Sequence, residues 1–247
     1  MINELITLSK EAGKAILSYY DEPIKVYKKA ENSPLTLADL AAHNLILDGL
    51  KQLKNIPIIS EEGDIPDYQD RKEWTQYWLI DPLDGTKEFI NGNGEFTVNI
   101  ALIKEGIPTI GVVSLPAKDI TYTGEKDQGS FLIDDKGLKT RIHSTQPDLS
   151  SPLTVVVSRS HASNTLDEKL AERGIRVGKK IKAGSSLKFC RVAEGSVDIY
   201  PRFGPTMEWD TAAGDAVYRY SGIQSERNST LLYNKPSLKH LEFIIGL

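Results

Sequence analysis

The sequence has a single cysteine, no long apolar run and no excess of positive charge. Its one cysteine, Cys190, excludes an intramolecular disulfide. No apolar run reaches the roughly 18 residues of a membrane-spanning helix, and the N-terminus, Met1-Ile2-Asn3-Glu4, has no basic and then apolar leader. We therefore expect a cytoplasmic protein. The net charge of −4 predicts no non-specific binding to nucleic acid polymers.

The chain is otherwise of ordinary globular composition. Apolar residues make up 40% of its 247 residues, enough for one large or two small domains. The polar stretch 141–151 is the one candidate boundary. It divides the chain into an N-terminal α+β half, 1–145, and a C-terminal α/β half, 146–247.

The N-terminal half begins with two helical patterns. Apolar residues at helical spacing predict an amphipathic helix over 3–20, with Leu5, Leu8, Ala12, Ile16 and Tyr20 on its buried face. Residues 24–27 are a candidate short strand. Ser33-Pro34-Leu35-Thr36 predicts the start of a second helix that reaches about Leu53. Its expected core stripe is Leu40, Asn44, Leu47 and Leu50.

Strands follow, first in succession and then in alternation with helices. The spacing of 96–103, 110–114, 120–123 and 130–133 predicts an antiparallel meander. In the C-terminal half, strands over 154–157, 197–200 and 242–245 alternate with helices over 165–173, 184–194 and 210–220, which is typical of an α/β unit.

The most informative stretch is Trp78-Leu79-Ile80-Asp81-Pro82-Leu83-Asp84-Gly85-Thr86. Residues 77–80 predict a short buried strand that ends in the carboxylates Asp81 and Asp84. Two such groups repel each other unless a cation lies between them, and oxygen ligands favour a hard metal such as Mg²⁺. The alternative is a surface turn, because Asp, Pro and Gly all favour turns.

A second strand end repeats this pattern. The apolar run 56–60 ends in Glu61-Glu62-Gly63, so two strand ends could converge on one cation. Two further carboxylates have local explanations: Asp39 as a helix-dipole partner in the first turn of the second helix, and Asp210 as the N-cap of the last helix. The residues alone favour the local role for both.

Three motifs in this order and spacing are similar to those of a known family. Glu61-Glu62 after a strand, Asp81 to Thr86, and Trp209-Asp210 before Ala212-Ala213-Gly214 resemble the Mg²⁺-dependent, lithium-sensitive phosphatases of the inositol monophosphatase superfamily. The stretches 32–36, 84–89, 95–101, 158–161, 185–189 and 200–206 resemble its CysQ-type branch, the 3'(2'),5'-bisphosphate nucleotidases.

The resemblance implies an α/β/α/β layered sandwich with a metal site between the two halves. One Mg²⁺ would be held by Glu61, Asp81 and the main-chain carbonyl of Leu83. A second would be held by Asp81, Asp84 and Asp210, and a weaker third would use Glu61. Asp39 and Thr86 match the pair that orients the attacking water, which reverses the local interpretation of Asp39 and Asp210.

The resemblance also implies a substrate and its contacts. The expected reaction takes adenosine 3',5'-bisphosphate to AMP and phosphate, and the sulfated analogue would lose the same 3'-phosphate. Lys188 and Arg202 are expected to hold the non-reacting phosphate, and Ser158, His161 and Gly184 to line the nucleotide site. The reacting phosphate would lie against Glu61, Leu83, Asp84, Gly85, Thr86 and Asp210.

Alternatives stay open at this point. The nearest is a phosphatase of the same superfamily that acts on inositol or sugar phosphates. A non-catalytic nucleotide-binding protein is the alternative from another class. Peripheral attachment to the cytoplasmic side of the inner membrane is neither supported nor excluded, because no basic amphipathic helix is evident. The sequence predicts no oligomeric state.

Overall fold

The computed structural model describes residues 1–20, 27–28, 34–35, 37–159, 165–222 and 229–247. The helices are α1 Ile2–Leu17, α2 Leu37–Leu53, α3 Tyr68–Arg71, α4 Thr86–Ile90, α5 Leu166–Ala171, α6 Leu187–Ala193 and α7 Ala212–Arg219. The strands are β1 Tyr27–Lys28, β2 Pro34–Leu35, β3 Ile58–Ser60, β4 Gln76–Asp84, β5 Thr97–Lys104, β6 Ile107–Leu115, β7 Ile120–Glu125, β8 Gly129–Ile133, β9 Lys139–Arg141, β10 Leu153–Ser158, β11 Val177–Ala183, β12 Tyr200–Arg202, β13 Thr206–Met207, β14 Lys239–His240 and β15 Phe243–Ile245.

A seven-stranded sheet forms the centre of the molecule. Its strands follow chain order from β3 to β9. β3 pairs with β4 in parallel, and every later pair is antiparallel, which confirms the predicted meander. Because β3 and β4 run in the same direction, their carboxyl ends meet at one edge of the sheet. Glu61 follows Ser60 of β3 there, beside Asp81 of β4, because Ser60 pairs with Ile80.

Helices cover both faces of this sheet. Side chains alternate along β4, so Trp78 and Ile80 pack with α1 and α2 on one face. Tyr77 and Leu79 pack on the opposite face, in the cluster that contains α6 and α7. The buried positions of α1 include Leu5, Leu8, Ala12 and Ile16, as the helical spacing predicts.

The C-terminal half adds a second layer of strands. β10 pairs with β11 in parallel, β12 pairs with β15, and a bridge joins Val155 to Ile199. Leu166 and Leu170 of α5 pack against the outer side of these strands. The order helix, sheet, helix, strand confirms the predicted α/β/α/β layering, with α5 on the outside.

Several details of the predicted elements differ in the structure. α2 starts at Leu37, because residues 34–35 form the strand β2. Its buried stripe is Ala38, Ala42, Ile46 and Leu50, and this is the face that contacts α1 and β4. Of the other predicted core positions, Leu40 is 38% exposed, Asn44 is exposed and Leu47 is half-buried. The strand β11 was not predicted, because its lysines conceal the pattern. The candidate strand at 24–27 lies outside the described residues except for Tyr27.

The helix α7 packs almost backbone to backbone on the central sheet. A Cβ atom at Gly111 of β6 would collide with the carbonyl oxygen of Ala213, and one at Gly124 of β7 with that of Ala216. Glycine at these two strand positions is therefore required for this approach. The contact fixes the start of α7, and with it Asp210, against the sheet.

Among the described helices, none has both the length and the apolar character needed to cross a membrane.

Candidate active site

The site is built around Asp81, which β4 carries into the interior of the protein. Asp81 is 1% exposed and lies opposite Asn99 of β5. The pairing shifts between Asp81 and Asp84, and this bulge changes the direction of both carboxylates. Oδ1 of Asp81 accepts a hydrogen bond from the amide of Leu83 at 3.1 Å. Its other oxygen, Oδ2, is buried and accepts no hydrogen bond from the described residues.

Three carboxylates meet at this point. Glu61, Asp81 and Asp210 each offer an oxygen atom, and these atoms all lie within 4.8 Å of one another. Glu61 is fixed at the end of β3 by a hydrogen bond from its amide to the carbonyl of Ile80, at 3.2 Å. The structure thus brings two carboxylates from the N-terminal half and one from the C-terminal half into a single cluster.

Charge repulsion makes this cluster unfavourable without a cation. Burial raises the pKa of Asp81 well above its ordinary value, and the charges of Glu61, Asp84, Asp210 and Asp39 raise it further. A divalent ion would remove both penalties, and the unpartnered Oδ2 of Asp81 offers it a ligand. An all-oxygen donor set fits Mg²⁺.

Asp84 borders the cluster and is held by polar neighbours. Its Oδ2 accepts hydrogen bonds from Thr97 Oγ1 at 3.4 Å, Asn99 Nδ2 at 3.4 Å and Ser186 Oγ at 3.2 Å. Burial and the charge of Asp210 raise its pKa to about 6, against the opposing effect of Lys188. Asp84 is therefore close to Asp210, although it is outside the group of three within 4.8 Å.

Asp210 does not cap α7, contrary to the local interpretation of the sequence. Thr211 occupies the N-cap position. The carboxylate of Asp210 instead accepts hydrogen bonds from Met207 N at 3.0 Å and from Thr206 Oγ1. These bonds direct it away from the helix N-terminus and toward the acidic cluster.

The predicted water-orienting pair also lies at this site. Asp39, in the first turn of α2, is 3% exposed, and its charge contributes to the raised pKa of Asp81. Thr86 follows Gly85, which has a φ of 91°, a left-handed conformation that favours glycine. Ser185 Oγ occupies the space that a Cβ at Gly85 would need.

A cavity of about 300 Å³ opens beside Asp84 and Asp210. Its wall carries the cations Lys87, Lys188 and Arg202 together with the carboxylates Asp84, Glu88 and Asp210. Gly85, Thr86, Ser158, Tyr200 and Thr206 are also on its wall. Lys188 is 5% exposed; its Nζ donates to Ser185 O at 2.5 Å and lies 5.5 Å from the centre of the Tyr200 ring. Arg202 is oriented by hydrogen bonds to the carbonyls of Gly204 and Pro205.

The predicted nucleotide contacts are only partly at this cavity. Ser158 lines it. The amide of Gly184 donates to Glu95 Oε2 at 2.9 Å, and the same carboxylate binds Arg159 Nε at 2.8 Å. His161 lies outside the described residues.

The hydroxyl of Ser186 is a contact that the motifs did not predict. It bonds to Asp84 Oδ2 and to the carbonyl of Asp210 at 2.7 Å, and it accepts from Asn99 Nδ2 at 3.0 Å. Ser186 therefore joins metal-ligand candidates from both halves of the chain. Its sequence context, Gly184-Ser185-Ser186 before a helix, indicates only a helix start.

Comparisons with known proteins give one family for the chain. A model of the inositol monophosphatase family matches residues 1–224. The chain is 49% identical over 225 residues to the 3'(2'),5'-bisphosphate nucleotidase CysQ of Escherichia coli (strain K12), covering 90% of this chain and 88% of that protein. It is 43% identical over 242 residues to the CysQ nucleotidase of Buchnera aphidicola, covering 96% of this chain and 89% of that protein.

Solved structures show the same similarity. CysQ from Bacteroides thetaiotaomicron, described as a bacterial member of the inositol monophosphatase family, has a TM-score of 0.82 and 39% identity, over 98% of this chain and 96% of its own. A Thermotoga maritima IMPase has a TM-score of 0.75 at 23% identity, over 98% of this chain and 90% of its own, which is a likeness of fold alone. The resemblance inferred from the motifs is confirmed.

Proposed function

Because the chain belongs to the inositol monophosphatase family, we propose that it is a Mg²⁺-dependent phosphomonoesterase that converts adenosine 3',5'-bisphosphate to AMP and phosphate. The observation that carries the proposal is the cluster of Glu61, Asp81 and Asp210 beside a cavity that contains Lys188 and Arg202. The relatives named 3'(2'),5'-bisphosphate nucleotidase CysQ support this choice of substrate. The sulfated analogue of the substrate would lose the same 3'-phosphate.

The acidic residues supply the metal site in this proposal. Glu61, Asp81 and the carbonyl of Leu83 would hold one Mg²⁺, and Asp81, Asp84 and Asp210 a second, with Glu61 available to a weaker third ion. Bound Mg²⁺ neutralises the phosphate, lowers the pKa of water and stabilises the leaving oxygen.

Residues around the cluster would position the reactants. The Thr86 hydroxyl would accept a hydrogen bond from the attacking water and pass its own hydrogen to Asp39, whose carboxylate would take up the proton. The main chain at Gly85 and Thr86 would contact the reacting phosphate. Burial of Asp39 beside Asp81 supports this role, because a carboxylate held at 3% exposure is not a solvated helix-dipole partner.

Two cations would select a bisphosphate. Lys188 and Arg202 lie on the same cavity as Asp84 and Asp210, and both side chains are held in place by carbonyl oxygens. A second phosphate on the substrate can reach them, whereas an inositol monophosphate has no such group. Ser158 and Gly184 would lie near the nucleoside.

A phosphate-release assay tests the proposal. The substrates are adenosine 3',5'-bisphosphate, inositol 1-phosphate and a sugar phosphate, each with Mg²⁺ and with EDTA. We expect the highest kcat/KM for the bisphosphate, AMP as the nucleotide product on chromatography, and no turnover in EDTA. Preference for the inositol or sugar ester would show that the proposed substrate is wrong. No phosphate release from any ester would favour the non-catalytic alternative.

A further inference from the structure

Glu208 is a buried carboxylate that the proposed chemistry does not use. It lies two residues before Asp210 and is 0% exposed. Its Oε2 accepts a hydrogen bond from the amide of Asn234 at 2.7 Å. Its Oε1 accepts one from the amide of Lys235 at 3.0 Å and another from Lys235 Nζ at 2.6 Å. The side chain is thus tied to the C-terminal segment of the chain.

The main chain of Glu208 fixes the loop that carries Asp210. Its carbonyl accepts hydrogen bonds from the amides of Thr211 at 3.2 Å and Ala212 at 3.0 Å, and from Thr211 Oγ1 at 2.9 Å. Its amide donates to Leu238 O at 2.9 Å. Asp210 lies between these anchored residues, so its position follows from that of Glu208.

Arg71 connects the same segment to the N-terminal half. It is 2% exposed and ends α3, which lies in the chain between β3 and β4. Its Nη1 donates to Asn234 Oδ1 at 2.7 Å, and its Nη2 to the carbonyls of Lys235 and Pro236 at 2.9 Å each. Asn234 Nδ2 donates back to Arg71 O at 2.7 Å.

We infer that Arg71, Asn234, Lys235 and Glu208, here called the Glu208 clasp, position Asp210 as a metal ligand. The clasp ties the Asp210 loop to the connection between β3 and β4, the two strands that present Glu61 and Asp81. The inference rests on the proposed metal site. Asn234 and Lys235 lie beyond the residues matched by the family model, 1–224.

Repulsion within the acidic cluster explains why such a support is needed. In the metal-free protein, Asp210 is held near Asp81 and Asp84, and each carboxylate disfavours the others. A loop without the clasp would relax away and have to be drawn back when Mg²⁺ binds. The clasp should therefore act mainly on metal affinity, and much less on turnover once Mg²⁺ saturates the protein.

Calorimetric titration of MgCl₂ into the full chain without substrate tests this inference. Glu208→Gln places an amide donor opposite the donors of Asn234 or Lys235, and Arg71→Leu removes the anchor without changing the Asp210 loop. For both variants we expect the Kd for Mg²⁺ to rise about 10-fold, the lower end of the effect seen for residues that support metal ligands. The half-saturating Mg²⁺ concentration for phosphate release should rise in parallel, while kcat at saturating Mg²⁺ approaches the wild-type value.

Ile16→Ala is the stability control, because Ile16 is buried in α1 on the opposite face of the central sheet. It should lower Tm but leave the Kd for Mg²⁺ unchanged. If Glu208→Gln does not fold, Lys235→Met, which removes only the Nζ contacts, should still raise the Kd.

The possible results separate the two proposals. Unchanged Mg²⁺ affinity in folded Glu208→Gln and Arg71→Leu would overturn the clasp and leave the proposed function standing. An equal loss of affinity in Ile16→Ala would overturn the clasp as well, since the effect would then reflect general destabilisation. Wild-type protein that binds no Mg²⁺ would overturn the metal site itself.

Discussion

Asp81 combines a strong case for a functional role with an electrostatic cost to the stability of the fold. It is buried among four other carboxylates that raise its pKa, and one of its oxygens accepts no hydrogen bond from the described residues. A residue kept only for stability would not be in such surroundings. The close approach of these carboxylates explains both the cost of Asp81 to stability and its proposed role as a metal ligand.

Asp81→Asn should therefore separate stability from activity. We expect kcat to fall by orders of magnitude, because a neutral amide holds Mg²⁺ poorly. The Tm measured in EDTA should rise, because one of the repelling charges is gone. Asp135→Asn, at an exposed position, is the matched control and should change neither quantity. Wild-type kcat in Asp81→Asn would contradict the assigned role.

The raised pKa of Asp84 predicts a pH dependence of the metal-free protein. Its pKa rises from an ordinary value of 3.8 to about 6. Between these values the folded state binds more protons than the unfolded state, so its contribution to stability declines as pH increases.

We expect the difference in unfolding free energy between wild type and Asp84→Asn, both measured in EDTA, to fall between about pH 4 and about pH 6 and then to level off. Denaturant titrations at a series of pH values measure this difference. A difference that increases with pH would contradict a raised pKa.

Lys188 is the residue at which substrate choice can be tested. Lys188→Met should raise KM for adenosine 3',5'-bisphosphate about 10-fold, the size expected for one charge-assisted hydrogen bond. KM for adenosine 3'-monophosphate should change little, because that substrate has no second phosphate. Lys139→Met, in the exposed strand β9, is the control. An equal effect on both substrates would mean that Lys188 contacts the reacting phosphate or only supports the fold.

At the scale of elements, the contact between α7 and the central sheet sets the geometry of the site. Gly111→Ala would push its new methyl group into the backbone of α7. We expect a loss of about 1–3 kcal/mol in unfolding free energy, as for other overpacked sites. Gly204→Ala is the control for denaturant unfolding, since a Cβ there meets no atom within 4 Å. Equal stability of the two variants would show that α7 can shift at little cost.

Elements with strong periodicity can be predicted from the sequence, but the contacts by which they pack together cannot. The strand at 77–80 and the meander after it follow from apolar runs, and they place Asp81 and Glu61 at one edge of the sheet. The convergence of Asp210 on that edge depends on contacts between residues far apart in the chain, such as Gly111 with Ala213. Without the family resemblance, the residues alone favoured a helix cap for Asp210.

Small polar residues carry the weakest functional signal in the sequence. Ser186 and Asn99 have ordinary sequence contexts, yet both bond to Asp84 in the folded protein. Glu208 is equally inconspicuous, because its partners Asn234 and Lys235 follow it only after another helix. Such contacts become visible only when the fold brings together residues that are distant in the chain.

At the scale of the whole molecule, the two predicted halves share the buried cluster between the central sheet and the helices α6 and α7. Tyr77, Leu79 and Val113 from 1–145 belong to the same buried cluster as Phe189 and Val217 from 146–247. The acidic site also takes residues from both halves. Each half also has a smaller buried cluster of its own, but the shared cluster and the shared acidic site join the two halves into one structure.

This shared core predicts that the chain unfolds in a single step. Guanidinium titrations followed by fluorescence and by circular dichroism should give coincident transitions. Mg²⁺ should move the whole transition to higher denaturant, by about 2.7 kcal/mol when its concentration is about 100-fold above Kd, because the ion binds only where both halves are folded. Asp210→Asn should retain the single transition and lose most of the Mg²⁺ shift. Two separate transitions, with only one sensitive to Mg²⁺, would mean that one half holds the metal without the other.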